Sequence, residues 1–313
     1  MSGAQESLAI VFPGQGSQAV GMLAELNAAF PVVTETFAQA SDALGLDLWS
    51  LAQNGPEETL NETQNTQPAM LAAGVATWRV WEKHNGTSAI VMAGHSLGEY
   101  TALVCSGSLD FATGIQLVAE RGKQMQSAVP TGTGAMAAII GLSDETVADV
   151  CRQSAEGGIL ERANFNAPGQ VVIAGDSAAV ERATGAAKAA GAKRAIVLPV
   201  SVPSHCSLMQ SAAEVLSGVL EETVFETPGT PVLHNVDVSE HKDAAGIRTA
   251  LVQQLCRPVR WVETVQAMAA RGAGRLVELG PGRVLTGLNR RIDRNLECQS
   301  VNDPASLELA LAA

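Results

Sequence analysis

No apolar run in this 313-residue sequence approaches the ~18 residues that a bilayer-spanning helix needs, which excludes a helical membrane protein. The N-terminal stretch also lacks the basic region of a secretory signal: the first Lys or Arg is Arg79, so a cytoplasmic protein is expected. Positive charge is scarce throughout, with 20 Lys and Arg against 32 Asp and Glu and a net charge of −12. That balance argues against nucleic-acid binding. The five cysteines (Cys105, Cys151, Cys206, Cys256, Cys298) are odd in number and contain no CxxC, so neither a disulfide framework nor a zinc site is indicated; buried, reduced thiols are expected. Aromatic residues are only 4% of the chain while glycines number 30, a combination that points to many tight strand-to-helix turns and an α/β protein. Internal repeats and low-complexity tracts are absent.

What is present is a large apolar fraction, 46%, enough for a substantial core and against disorder. The length suits one large domain with an insertion, or two domains. Charge is unevenly spread. Residues 1–78 hold eight acids and no Lys or Arg, whereas residues 257–294 hold eight Arg against three acids. A basic region on an acidic protein can attract an acidic partner.

Along the chain, Leu8–Phe12 reads as a buried parallel strand feeding the Gly-rich turn Pro13-Gly14-Gln15-Gly16. Ala89–Gly94 is a second such strand, followed by a helix from Leu97 past Val104 and another over 111–127 that includes Arg121. From about 129 to 200 the texture changes. A strand at Ala135–Ile140 precedes a helix capped by Ser143. Strands near 159–164 and 170–174 flank the turn Asn166-Ala167-Pro168-Gly169, then a helix capped by Asp176 runs to about Ala190 before a last strand at Arg194–Leu198. This βαββαβ order is the split, ferredoxin-like pattern. The expected architecture is therefore a parallel-sheet α/β core, residues 1–128 and 201–313, with an inserted α+β subdomain over 129–200. Near the end, Arg275–Leu279 reads as a strand, Gly280-Pro281-Gly282 as a turn and Val284–Arg291 as a helix.

Gly94-His95-Ser96-Leu97-Gly98 is the chain's single GxSxG. A sharp strand-to-helix turn of this kind lifts a serine Oγ out of the sheet, and small flanking residues let the backbone fold that tightly. The amide of the following Leu97 then faces the reacting oxygen from a helix N-terminus. Such a serine needs a base. His84 and His241 lie in polar surroundings, and His95 adjoins the serine but should point away from it. His205 follows a strand in Ser201-Val202-Pro203-Ser204-His205, which favours it modestly; His234, in Leu233-His234-Asn235, is its rival. On its residues alone, Arg121 is a solvated helix arginine.

Six segments occur in order: Phe12-Pro13-Gly14-Gln15-Gly16-Ser17-Gln18, Gly94-His95-Ser96-Leu97-Gly98-Glu99-Tyr100, Ala119-Glu120-Arg121-Gly122, Asn164–Gln170, Val202-Pro203-Ser204-His205 and Glu278-Leu279-Gly280-Pro281-Gly282. Together they resemble the malonyl-CoA:acyl carrier protein transacylases of fatty-acid synthesis, over nearly the whole chain. The resemblance implies a hydrolase-like core with an inserted ferredoxin-like subdomain. It also implies Ser96 as nucleophile, His205 as general base and acid, and the backbone carbonyl of Gln254 as the group orienting His205. The amides of Gln15 and Leu97 would form the oxyanion hole, and Arg121 would hold the free malonyl carboxylate. Malonyl-CoA would be the donor substrate and an acidic acyl carrier protein the partner. A monomer without permanent cofactor or metal is expected. By its charge, the arginine-rich segment 257–294, Arg290 and Arg291 included, is the best candidate to receive the carrier, with Lys193-Arg194 second.

Two other classes share some of these features. An α/β-hydrolase, a thioesterase or lipase using the same serine, would need a carboxylate on its histidine, and Asp237 is the most tempting acid after His205. A nucleotide-binding module is disfavoured, since Gly14-Gln15-Gly16-Ser17 has neither GxGxxG spacing nor a Walker lysine.

Overall fold

The structure is a computed structural model that describes residues 7–130, 132–200 and 202–313. Residues 1–6 and Ser201, which open the two expected core segments, lie outside the described residues. Strand β1 (Ser7–Phe12) leads into five helices, α1 (Ala24–Ala29), α2 (Val32–Leu44), α3 (Leu48–Asn54), α4 (Glu57–Leu60) and α5 (Thr63–Lys83). The sequence reading left that stretch unassigned. Then come β2 (Ala89–Gly94), α6 (Gly98–Cys105) and α7 (Phe111–Ala128). A second group follows: β3 (Gly134–Ile140), α8 (Asp144–Ala155), β4 (Leu160–Ala167), β5 (Gln170–Asp176), α9 (Ser177–Ala189) and β6 (Arg194–Val197). The chain closes with α10 (Gln210–Glu222), β7 (Val232–Leu233), α11 (Ala244–Cys256), α12 (Trp261–Ala270), β8 (Ala273–Leu279), α13 (Val284–Ile292), β9 (Glu297–Val301) and α14 (Pro304–Ala312).

Two sheets result. The five-stranded sheet has the order β7-β2-β1-β8-β9 and is parallel at every pairing. Its central strands β1, from Leu8 on, and β2 read as unbroken apolar runs because both faces are covered, whereas β8 and the edge strand β9 carry polar residues. Leu8, Ile10 and Phe12 of β1 enter a large core shared with α2, α5 and α7. The alternate residues Ala9 and Val11 face Trp261 and Val265 of α12 and Leu285 of α13. Side chains of successive strand residues point to opposite faces, so one strand feeds both cores.

The four-stranded sheet, order β4-β5-β3-β6, is antiparallel throughout, as the βαββαβ reading requires. One face packs on α8 and α9 through Ile139, Val147, Val150, Ile173 and Val180. The other places Met136, Ala163, Val172 and Ala174 against Cys206. This sheet is stitched to the rest of the chain by backbone bonds from Phe165 N to the Val259 carbonyl and from Val259 N to the Ala163 carbonyl, each 2.9 Å. Ser143 caps α8 as read, accepting from Thr146 N at 3.2 Å. Asp176 does not cap α9 with its side chain. Its carboxylate instead accepts from Ile159 N at 2.7 Å, a tertiary bond that outcompetes the local one. All five cysteines are free, with Cys151, Cys206 and Cys298 buried.

Candidate active site

The parallel strands β1 and β2 end side by side, and the turns that leave them build the site. At the elbow after β2, Ser96 sits at φ 51°, the left-handed region that L-residues adopt only under constraint. The flanking glycines supply that constraint. A Cβ on Gly98 would stand 2.1 Å from the Phe12 carbonyl oxygen, and one on Gly14 would stand 2.4 Å from that of His95. The two turns therefore pack backbone to backbone, which no larger residue at either position allows. Gln15 and Leu97, whose amides were expected to face an oxyanion, line the same cavity as Ser96.

His205, 3% exposed, meets the serine from the segment after β6. Its Nε2 lies 2.8 Å from Ser96 Oγ and its Nδ1 lies 2.7 Å from the backbone carbonyl of Gln254. A carbonyl can only accept, so Nδ1 carries the proton and Nε2 is left to accept from the serine hydroxyl. Burial, and next the nearby Arg121 cation, hold the imidazole down at about 3. It is neutral, and ready as a base, across the physiological range.

The rival histidine is placed elsewhere. His234 is fully buried and its Nδ1 donates to Glu99 Oε1 at 2.7 Å. His95, expected to point away from the serine, bonds Asn166 Oδ1 of β4 at 2.8 Å and lines the same cavity as Ser96. Asp237 bonds the exposed pair partner His241 at 2.8 Å, not His205.

Arg121 corrects the sequence reading of a solvated arginine: it is 1% exposed. Nη1 donates to Gln67 Oε1 at 2.7 Å, and Nη2 to Gln254 Oε1 at 3.0 Å and to Ser96 Oγ at 3.4 Å. The guanidinium also lies over the Tyr100 ring, 5.3 Å from its centroid. Its hydrogen-bond partners are neutral, and Nε has none among the described residues. A buried cation whose hydrogen-bond partners are all neutral is costly unless an anion arrives, and burial lowers its basicity. The sequence carried a signal for this placement. Helical spacing puts Arg121 between Val118 and Met125 on the apolar stripe of α7, not opposite it. Gln67, which the sequence reading missed, carried no such signal: it closes the polar run Thr63-Gln64-Asn65-Thr66-Gln67 that opens α5.

These groups open on a cavity of about 160 Å³ roofed by Met136, Asn164, Asn166 and Val172 from the antiparallel sheet and by Leu198 and Val200 after it. A larger groove, about 870 Å³, runs between α7 and the end of α10. It is lined by the acids Asp110, Glu120, Glu222 and Glu226 and holds no nucleophile–base pair, so the smaller cavity is the candidate site. Among the described residues no group of His, Cys, Asp and Glu is arranged to hold a metal ion, and no helix is long and apolar enough to cross a membrane.

Comparison with known proteins agrees with this geometry. The acyl transferase domain family matches residues 9–302. Malonyl CoA-acyl carrier protein transacylases are among the relatives. That of Salmonella typhimurium is 58% identical over 97% of this chain and 98% of its own, and that of Haemophilus influenzae is 60% identical over 96% and 97%. A malonyl-transacylase solved in complex with a type II polyketide synthase acyl-carrier protein superposes with a TM-score of 0.97 at 59% identity, covering 98% of this chain and 99% of that one. The transacylase of Coxiella burnetii does so with a TM-score of 0.97 at 51% identity, covering 98% and 97%.

Proposed function

The chain belongs to the acyl transferase domain family, and from that premise we propose that it moves a malonyl group from coenzyme A to the phosphopantetheine thiol of an acyl carrier protein through a malonyl-Ser96 intermediate. The activity is that of a malonyl-CoA:acyl carrier protein transacylase supplying fatty-acid synthesis. Ser96 Oγ attacks the thioester carbonyl as His205 Nε2 takes its proton. The oxyanion that forms is met by the amides of Gln15 and Leu97. Collapse breaks the C–S bond, and His205 returns the proton to the departing thiolate. The carrier thiol then gives its proton to His205, attacks the ester carbonyl and releases Ser96, which recovers the proton. No oxidation state changes, so no step calls for a redox cofactor.

The observation that carries malonyl as the acyl group is Arg121, a buried guanidinium without a carboxylate partner among the described residues, 3.4 Å from the nucleophile. A carboxylate on the acyl group supplies the missing anion, with two-point geometry that a guanidinium favours. The hydrolase alternative expects a carboxylate on His205, where a backbone carbonyl stands. We divide the chain into a catalytic core, residues 1–128 and 201–313, and a subdomain, 129–200, that roofs the cavity. All the groups invoked come from one chain, so a single copy suffices for the reaction.

Intact mass after mixing with malonyl-CoA tests this reading. A single malonyl adduct is expected on the peptide containing Ser96, and none on Ser96→Ala, whose loss of activity should be on the order of 10⁴-fold or more. Labelling that persists in the variant, or maps to Cys105 or Cys206, overturns it.

A further inference from the structure

Glu99 is 0% exposed and has no part in the chemistry above. It lies in the first turn of α6, where the helix N-terminus favours a carboxylate. Its Oε1 accepts from His234 Nδ1 at 2.7 Å, and its Oε2 accepts from the backbone N–H of Asn235 and from Gln254 Nε2, each at 2.8 Å. A carboxylate removed from water needs such donors. Two of these donors have a second task.

Asn235 brackets the elbow. Its side-chain Oδ1 accepts from Ser96 N at 2.7 Å and its Nδ2 donates to the Gly94 carbonyl at 2.7 Å. It thereby spans the residue whose φ is 51°. Gln254 bridges the elbow and the arginine. Nε2 also donates to the Ser96 carbonyl at 3.1 Å, while Oε1 accepts from Arg121 Nη2 at 3.0 Å. An amide reads the same from either end until a neighbour fixes it. The carboxylate of Glu99 draws the NH₂ end to itself, which leaves the oxygen facing the guanidinium. Reversing the amide would set an NH₂ against a cation.

We infer that Glu99 is a positioning residue that sets the Ser96 elbow through Asn235 and the aim of Arg121 through the side-chain amide of Gln254. This rests on the malonyl-transfer reading above. The Gln254 side chain thus has a role separate from its backbone carbonyl, which orients His205.

The test measures acylation of Ser96 by malonyl-CoA and by acetyl-CoA, with the thermal midpoint, for wild type, Glu99→Gln and Asn235→Ser. Folded Glu99→Gln should acylate from malonyl-CoA about 10- to 100-fold more slowly, the scale set by small misplacements of reacting groups, and its malonyl-over-acetyl preference should fall. Asn235→Ser touches only the elbow arm, so both donors should slow by the same factor and the preference should hold. Glu99→Gln with rates and preference within about twofold of wild type overturns the inference, as does equal slowing of both donors. Should Glu99→Gln fail to fold, Asn235→Ser decides, and unchanged acylation from either donor overturns it. Wild-type protein that takes no malonyl group on Ser96 defeats the transfer reading itself, a separate and recognisable result.

Discussion

The two sheets meet over one cavity and bring different things to it. The parallel sheet, buried on both faces, ends in turns pinned by backbone contact at Gly14 and Gly98. From this region come the proposed nucleophile Ser96, the buried Arg121 and the Gln254 carbonyl that accepts from His205. The antiparallel sheet packs one face on its own helices and lends side chains of the other to the roof. Its edge strand β6 leaves Ile196 and Val197 half exposed, at 49% and 51%. A reacting group tolerates little displacement, and Ser96 sits on a turn held by backbone contact with its neighbour. The smaller sheet shapes the space above Ser96 through Met136, Asn164, Asn166 and Val172.

The largest expected effect breaks that division from the core side. Arg121→Ala should slow malonyl transfer by about 10²- to 10³-fold, the scale of losing a buried charge partner, while acetyl-CoA is spared or improved as donor. Acylation kinetics with both donors would show it. Equal losses for the two would make the arginine a packing residue and leave selection to the roof.

A smaller effect concerns pH. Burial and the Arg121 cation depress His205 to about 3, so kcat/KM for malonyl-CoA, which reports the free enzyme, should keep its acid limb well below the ordinary histidine value near ~6.5. A malonyl carboxylate on Arg121 neutralises the second of those causes, which raises the histidine's affinity for a proton. The acid limb of kcat should therefore lie at higher pH than that of kcat/KM. With acetyl-CoA, which brings no carboxylate, the two limbs should nearly coincide. Identical limbs with malonyl-CoA would mean that the arginine does not meet the acyl group.

The smallest expected effect decides which region receives the carrier. Arg290 and Arg291 of α13 are exposed, yet Arg290 donates to the Cys298 carbonyl at 2.7 Å and Arg291 to Gln170 Oε1 across to the antiparallel sheet. Lys193, just before β6, and Arg194, its first residue, are exposed. Charge reversal of the first pair to Glu should raise KM for an acidic carrier by several-fold, and acylation by malonyl-CoA should barely change. The wild-type reaction should also weaken between low and moderate salt, since exposed charges are screened beyond ~10 Å. If only the Lys193→Glu, Arg194→Glu pair has this effect, docking belongs to the antiparallel sheet; if neither does, carrier attraction is not electrostatic at these positions.

Sequence alone determined whatever a single element can express. The run Leu8–Phe12 reads as a buried parallel strand because every residue in it is apolar and a Gly-rich turn ends it, and the structure has β1 at Ser7–Phe12. The order βαββαβ was legible because turns and caps punctuate each piece. The tight glycines around Ser96 announced an elbow before any neighbour was known. Tertiary structure alone decided which faces meet. His205 and Ser96 are 109 residues apart, Gln254 and Ser96 158 apart, and Asn235 and Glu99 136 apart. Local pattern ranked His205 only slightly above His234, and it cast Arg121 as solvated although its place on the α7 stripe was visible. Glu99 stood in the elbow motif without a task. Periodicity reports which side of an element is apolar, whereas desolvation of a charge depends on what the rest of the chain lays over it. That covering is a property of contacts between distant segments, and it turned an arginine, a glutamate and a glutamine of ordinary appearance into the buried polar frame around one serine.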